Sequence, residues 1–224
     1  MRLGLLGGTF DPIHRGHITA ARAAATLGLD RVLFVPANHP PHKDGRDLTG
    51  PYHRFAMVAL GLAGQKNLCL SAHELARGGT SFTIDTVRHY VSKGHQVGLI
   101  MGTDSLAEIA SWKECRALLD LAAVIAYPRR TAEPEGLAER LPEWARPRLI
   151  RSMPAPGAEP LLSPRAGEPP PILCLMGEMD DTSSTQIRAL LREGRSVSGL
   201  IPPGTEEYIL KHHLYVNAME DTND

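Results

Sequence analysis

The sequence predicts an α/β fold, a doubly wound and mostly parallel sheet with a small helical C-terminal part. Short apolar runs of strand length, at 2–6, 31–36, 68–71, 96–101, 122–127 and 172–176, alternate with helical patterns along the chain. That alternation is the mark of βαβ units. The chain has 224 residues, 42% of them hydrophobic, enough to bury a core of that kind. Polar or Gly/Pro-rich segments follow several of these runs, where such sheets place their ligand crevice.

The elements follow in order. Residues 2–6 form a buried strand running into Gly7–Gly8, and the Ala-rich stretch from Gly16 to about Leu27 is helical. Arg31–Pro36 is a strand closed by a proline, and 37–51, dense in Pro, His, Asn and Gly, is a polar loop long enough to serve a function. A helix over Tyr52–Leu62 leads to a strand at Leu68–Ser71. Phe82–Ser92 is a helix opened by Ser81 or Thr83, Gln96–Met101 a strand, Ser105–Leu119 largely helical, and Ala122–Tyr127 a strand.

From Pro128 to Pro171 eleven prolines interrupt the pattern, with Arg and Glu between them. This reads as a surface excursion, with room for a short helix near Leu137–Trp144. Ile172–Met176 resumes as a strand, Asp181–Ser184 caps a helix through about Glu193, and a final helix spans Thr205–His213. The expected organisation is one domain over 1–213, with the excursion at 128–171 and a frayed polar tail over 214–224.

The charge balance narrows the function. With 24 Lys+Arg against 25 Asp+Glu the net charge is −1, unlike the basic excess of a nucleic-acid binder. Cys69, Cys115 and Cys174 are far apart and odd in number, so neither a zinc pair nor a secretory disulfide framework is expected. The apolar start is too short for a signal segment and no run reaches membrane-spanning length, so the expected location is the cytoplasm.

The most informative stretch is Gly7-Gly8-Thr9-Phe10-Asp11-Pro12-Ile13-His14-Arg15-Gly16-His17. Two glycines after a strand let the backbone approach a ligand closely, with amides free for phosphate oxygens. A helix starting near Gly16 adds its positive end, and two histidines three apart can face one point there. Shuffling this composition gives H-x-G-H in about 4% of chains, so the tetrapeptide alone could be an ordinary cap; its place after a strand and Gly-Gly gives it weight. Neither G-x-G-x-x-G nor a P-loop is present. The stretch resembles the signature of the HxGH nucleotidyltransferases, and in the GGTFDPIHxGH form that of the nicotinate mononucleotide adenylyltransferases. The resemblance implies a Rossmann-like fold in which Gly7, Gly8, Thr9, Phe10, His14 and His17 bind ATP, with the two histidines stabilising the transition state.

Asp181-Thr182-Ser183-Ser184-Thr185-Gln186-Ile187-Arg188 sets hydroxyls at a helix start with an arginine one turn inside, a grouping suited to phosphate and equally to a plain N-cap. It resembles the family's [IV]SSTxIR motif, which implies ATP binding by Ser183, Ser184, Thr185 and Arg188. Thr182 stands where an aliphatic residue is usual, a packing position.

Three stretches resemble the acceptor half of the family. Pro36-Ala37-Asn38-His39-Pro40-Pro41-His42-Lys43 is similar to PxNxPPHK, which implies mononucleotide binding by Asn38 and contact of Lys43 with the reacting phosphates. Gly79–Val87 is similar to G-x-x-S-[YF]-T-[IVA]-D-T-[LV], implying that Ser81 binds the mononucleotide and that the hydroxyl and amides near Thr83 meet the nicotinate carboxylate. Gly102-Thr103-Asp104-Ser105-Leu106 with Trp112-Lys113 is similar to GxDxLxxLxxW[YHK], implying that Trp112 stacks on the pyridine ring while Lys113 and Asp104 bind nearby. Arg129, or its neighbour Arg130, matches a family arginine for the acceptor phosphate, although R-R-T replaces R-P-G. His53, His73, His89, His95, His212 and His213 fit no ligand geometry and read as surface or packing residues, and Glu74 has no assigned role.

The expected function is adenylyl transfer from ATP to nicotinate mononucleotide, giving deamido-NAD and pyrophosphate, with His14, His17, Lys43 and Arg188 at the chemistry. No acidic cluster forms a metal cage, so Mg²⁺ is expected to arrive with ATP. A homo-oligomer is left open, and nucleic-acid or membrane partners are not expected. The alternatives are a sister transferase for nicotinamide mononucleotide or phosphopantetheine, a non-catalytic nucleotide sensor, and a mononucleotide-binding interaction protein using the 128–171 excursion.

Overall fold

The computed structural model of the chain describes residues 1–41, 48–128, 136–153, 167–177, 180 and 182–216. Seven strands form one sheet: β1 (Arg2–Gly8), β2 (Arg31–Pro36), β3 (Leu68–Leu70), β4 (Gln96–Gly102), β5 (Ala123–Tyr127), β6 (Leu149–Ser152) and β7 (Ile172–Leu175). Their order is β3-β2-β1-β4-β5-β7-β6, and every pairing is parallel. The winding reverses between β1 and β4, so the crevice lies beyond the C-terminal ends of those two strands. The doubly wound sheet is therefore as the sequence predicts.

Strand alternation sends successive side chains to opposite faces, and both faces are covered. On one face Leu6, Phe34, Ile100, Ile125 and Leu173 pack under α1 (Arg15–Ala25), α2 (Pro51–Gly61), α8 (Ser184–Arg192) and α9 (Pro203–Lys211). On the other, Leu5, Val35, Leu99, Met101, Val124 and Cys174 pack under α4 (Thr83–Ser92), α5 (Thr103–Ala107) and α6 (Cys115–Leu121). The helices form where their apolar residues recur at helical spacing, as in α1, which buries Ile18, Ala20, Ala21 and Ala24.

Four stretches depart from the sequence prediction. The helix expected over Ser105–Leu119 breaks into α5, a 3₁₀ turn at Ile109–Ser111 and α6, because Trp112 is extended and Glu114 takes φ 52°. A five-residue helix, α3 (His73–Arg77), is too short for periodicity to reveal. The Pro-rich excursion is only partly a surface feature. Leu137 and Leu141, which flank α7 (Leu137–Arg140), and Ala145 are buried in the second core, and β6 adds an edge strand parallel to β7. Pairing to β7 supplies the backbone partners that four residues, LIRS, cannot announce by pattern. Lastly, Leu214 and Tyr215, expected in the polar tail, pack against the first core.

Among the described residues no helix is long and apolar enough to cross a membrane, and no group of three or more His, Cys, Asp and Glu could hold a metal ion.

Candidate active site

The crevice at the winding reversal is a cleft of about 380 Å³. The C-terminal end of β1 and the turn after it, Leu6–Thr9, form one wall, and the end of β4, Leu99–Gly102, forms the floor. Ala37, Pro40 and Pro41 close one side, while Ser81–Ile84, Ser111, Trp112 and Lys113 close the other. Three segments that the sequence singled out separately, GGT, SFT and WK, thus face the same space.

The turn after β1 is built around Phe10. This residue takes φ 52° and sends its ring into the core against Phe34, with its edge toward His17. A Cβ on Gly8 would stand 3.0 Å from that ring, so any larger residue there would press the ring aside by a few tenths of an ångström. Phe10 is 2% exposed, which leaves its backbone rather than its side chain to meet a ligand.

His14 and His17 are the N-cap and third residue of α1. The His14 backbone N–H donates to His17 Nδ1 at 3.3 Å, and the two rings stack 3.7 Å apart. The pair therefore acts as one block fixed at the positive end of an 11-residue helix. Helix α8 starts beside it: Ser184 donates to the Pro12 carbonyl at 2.9 Å, and Arg188 Nη1 to the Asp11 carbonyl at 2.7 Å. Segments more than 170 residues apart in sequence so meet around one turn. Ser183 caps α8 by accepting from the Gln186 N–H at 3.2 Å, and Thr185 is exposed at the same helix start. Asp180 ties the two helices, pairing with Arg15 and accepting from the Thr182 backbone and hydroxyl. Burial acts to raise the Asp180 carboxyl, but the bonds from Thr182 and Arg15 outweigh it and hold it below the usual range. Thr182, expected as mere packing, thus also carries a polar bond.

On the side of the cleft before α4, Ser81 is buried and accepts from the Asn38 N–H at 2.9 Å, and Asn38 Nδ2 donates to the Gly79 carbonyl at 3.1 Å. These two tie the 37–39 loop to the segment before α4. Thr83 opens α4, half-buried on the cleft wall. The Lys113 ammonium sits 4.4 Å over the Phe82 ring and 3.7 Å from Asp85. Trp112 is half-buried, with one part in the second core and the rest lining the cleft. Asp104 is exposed in the first turn of α5, next to the lining residues Gly102 and Ser105 but not itself among them. Lys43 and Arg129 lie outside the described residues.

The residue types and their placement match a nucleotidyltransferase, and comparison agrees. The pattern of the cytidylyltransferase-like family matches residues 5–190. A Geobacter sp. (strain M21) protein named "Probable nicotinate-nucleotide adenylyltransferase" is 38% identical over 97% of this chain and 100% of its own length. A Pseudomonas paraeruginosa (strain PA7) protein of the same name is 36% identical, covering 96% of this chain and 97% of its own. The chain belongs to the nicotinate-nucleotide adenylyltransferase family. Its fold is shared with a solved Plasmodium falciparum nicotinic acid mononucleotide adenylyltransferase complexed with NaAD, at TM-score 0.70 and 19% identity over 96% of this chain and 97% of the other.

Family motifs alone missed several residues that shape this site. Arg54 is 1% exposed and bonds three carbonyls around the cleft. The signal was present, because Arg54 falls with Met57, Val58 and Gly61 on the buried stripe of α2. Glu74, left without a role, lines the cleft at 6% exposure and accepts from the Thr86 hydroxyl at 2.6 Å. Tyr215 donates to Asp11 Oδ1 at 2.6 Å, a contact between the two ends of the chain that no local pattern announces. Burial and the nearby Asp11 charge push this phenol far above its ordinary value. Of the histidines read as packing, His73 and His89 stack 3.8 Å apart beside Tyr90, and His53 meets Tyr208 at 2.9 Å. Burial lowers both His73 and His89.

Proposed function

We propose that this chain transfers the adenylyl group of ATP to nicotinate mononucleotide, forming deamido-NAD and releasing pyrophosphate. The observation that carries this is the cleft at the β1/β4 reversal, with a phosphate-type turn on one wall and Thr83 and Trp112 on another. The acceptor's 5′-phosphate oxygen attacks the α-phosphorus of ATP in line. The bond from that phosphorus to the bridging oxygen breaks, and its electron pair leaves with pyrophosphate. A phosphate is already nucleophilic near neutral pH, so the protein's task is position and charge.

The amides of Gly7, Gly8, Thr9 and Phe10 hold the ATP phosphates. His14 and His17 donate to oxygens on the reacting phosphorus, and Ser183, Ser184, Thr185 and Arg188 grip the distal phosphates from the α8 start. Lys43 neutralises charge between the two substrates. Asn38, Ser81 and Asp104 shape the acceptor pocket, Trp112 stacks on the pyridine ring, and Arg129 takes the acceptor phosphate. Thr83 and the Lys113 backbone hold the nicotinate carboxylate. The positive end of α4 at Thr83 favours that anion over a neutral amide.

Mg²⁺ would arrive with ATP and, when bound, would supply charge shielding for its phosphates. Among the described residues no group of three or more His, Cys, Asp and Glu could hold a metal ion, so the nucleotide's own phosphates would carry it. Residues 1–213 act as one domain, and the free thiols Cys69, Cys115 and Cys174 suit a cytoplasmic enzyme.

The test is pyrophosphate release with ATP and Mg²⁺, comparing nicotinate and nicotinamide mononucleotides, with His17→Ala alongside. Release with the nicotinate form, falling at least about 100-fold in the variant, is expected. Silence with both acceptors overturns the reading, and equal release with both overturns the carboxylate assignment.

A further inference from the structure

Arg54 is the largest fully buried side chain among the described residues, and its guanidinium faces backbone oxygens. Nε donates to the Thr49 carbonyl at 2.9 Å, Nη1 to Thr9 at 2.8 Å and Nη2 to Asn38 at 3.0 Å. Thr9 belongs to the turn after β1, Asn38 to the loop after β2, and Thr49 to the approach to α2. The first two segments also touch directly, through the Ala37 N–H on the Gly8 carbonyl at 2.9 Å. Asp11, just past the turn, accepts from the Thr49 N–H at 3.4 Å and from the Tyr215 hydroxyl at 2.6 Å.

We propose that Arg54 is a positioning residue that fixes the spacing between the ATP-side turn and the acceptor-side loop, with Asp11–Tyr215 as a second clasp on the turn. The proposal rests on the transferase reading for its chemical purpose. A buried guanidinium is costly to desolvate, and an apolar side chain of similar volume would fill the same space without that cost. What the guanidinium adds is geometry, because its donors lie in one rigid plane and can hold several carbonyls at set angles, which an ammonium cannot. In-line transfer needs the reacting atoms about 3–3.5 Å apart, and the two pinned loops each present one substrate.

The test compares Arg54→Lys with Thr205→Val. The latter removes a hydroxyl bonded to the Met57 carbonyl of the same helix at 3.1 Å, away from both loops. Arg54→Lys is expected to lower kcat about 100-fold, raise KM for both substrates, and speed amide exchange at 7–10 and 37–39 together. Thr205→Val is expected to lower Tm while leaving kcat, both KM values and the loop exchange unchanged. Kinetics and exchange unchanged in Arg54→Lys, loosening of only one loop, or the same kinetic pattern in Thr205→Val overturns the proposal. If Arg54→Lys does not fold, Tyr215→Phe decides: a higher KM for ATP with the acceptor KM unchanged supports the clasp, and no change overturns it. Amide exchange needs no substrate. A chain inactive toward both mononucleotides whose two loops still loosen together therefore refutes the transferase reading and keeps the positioning one.

Discussion

Replacing Gly16 with alanine separates what the helix wants from what the site wants. A Cβ at this position would stand 3.1 Å from the Asp180 carbonyl oxygen and 3.1 and 3.2 Å from two atoms of the His14 ring. The carbonyl is poorly placed to retreat, because Asp180 is held by Arg15 and Thr182. The His14 ring must give by a few tenths of an ångström, away from its 3.7 Å stack on His17. A charge-assisted hydrogen bond contributes about 1.5–3 kcal/mol, so half of one lost from a phosphate oxygen costs roughly 0.75–1.5 kcal/mol. That predicts a fall in kcat of about 4- to 13-fold. Alanine meanwhile favours the helix over glycine by up to about 1 kcal/mol, offsetting the crowding, so Tm should move by no more than about 3 °C. The assay is pyrophosphate release at saturating substrates, paired with a thermal melt of the same preparation. A kcat within twofold of the parent at unchanged Tm refutes the argument, and so does an activity loss that only follows a large drop in Tm.

Trp112→Ala should raise KM for nicotinate mononucleotide about tenfold and leave KM for ATP unchanged, since Trp112 lines the cleft beside Ser81–Ile84, where the proposed function seats the acceptor. Initial rates with each substrate varied in turn check this, and an equal rise in both KM values counts against the stacking role. Asp180 predicts a pH dependence, because the bonds from Thr182 and Arg15 hold its carboxyl below its ordinary value of 3.8 in the folded chain. Its contribution is therefore fully present above pH 3.8 and lost as pH falls through the lower folded value. Melts from pH 3 to 7 should show Asp180→Asn less stable by under about 1 kcal/mol at neutral pH, converging on the parent below about pH 4. A constant gap down to pH 3 contradicts that assignment.

The sequence by itself determined the alternation of strands and helices, and so the parallel sheet and the place of its crevice. Strands β1, β2, β4, β5 and β7 announce themselves because both faces are buried, which makes them continuous apolar runs of five or so residues. It also named the turn after β1 and the starts of α1, α4 and α8, because glycines and hydroxyls at element ends have local conformational reasons to be there. Only the tertiary structure decided which of these ends meet. Ser184 and Arg188 reach the 11–12 turn across more than 170 residues, and nothing in either segment encodes that distance. The same holds for β6, whose four residues become a strand by pairing with β7, and for Tyr215 closing on Asp11. Arg54 stands between the two cases. Its position on the apolar stripe of α2 was legible, but the three carbonyls that make its burial tolerable come from segments that only folding brings together.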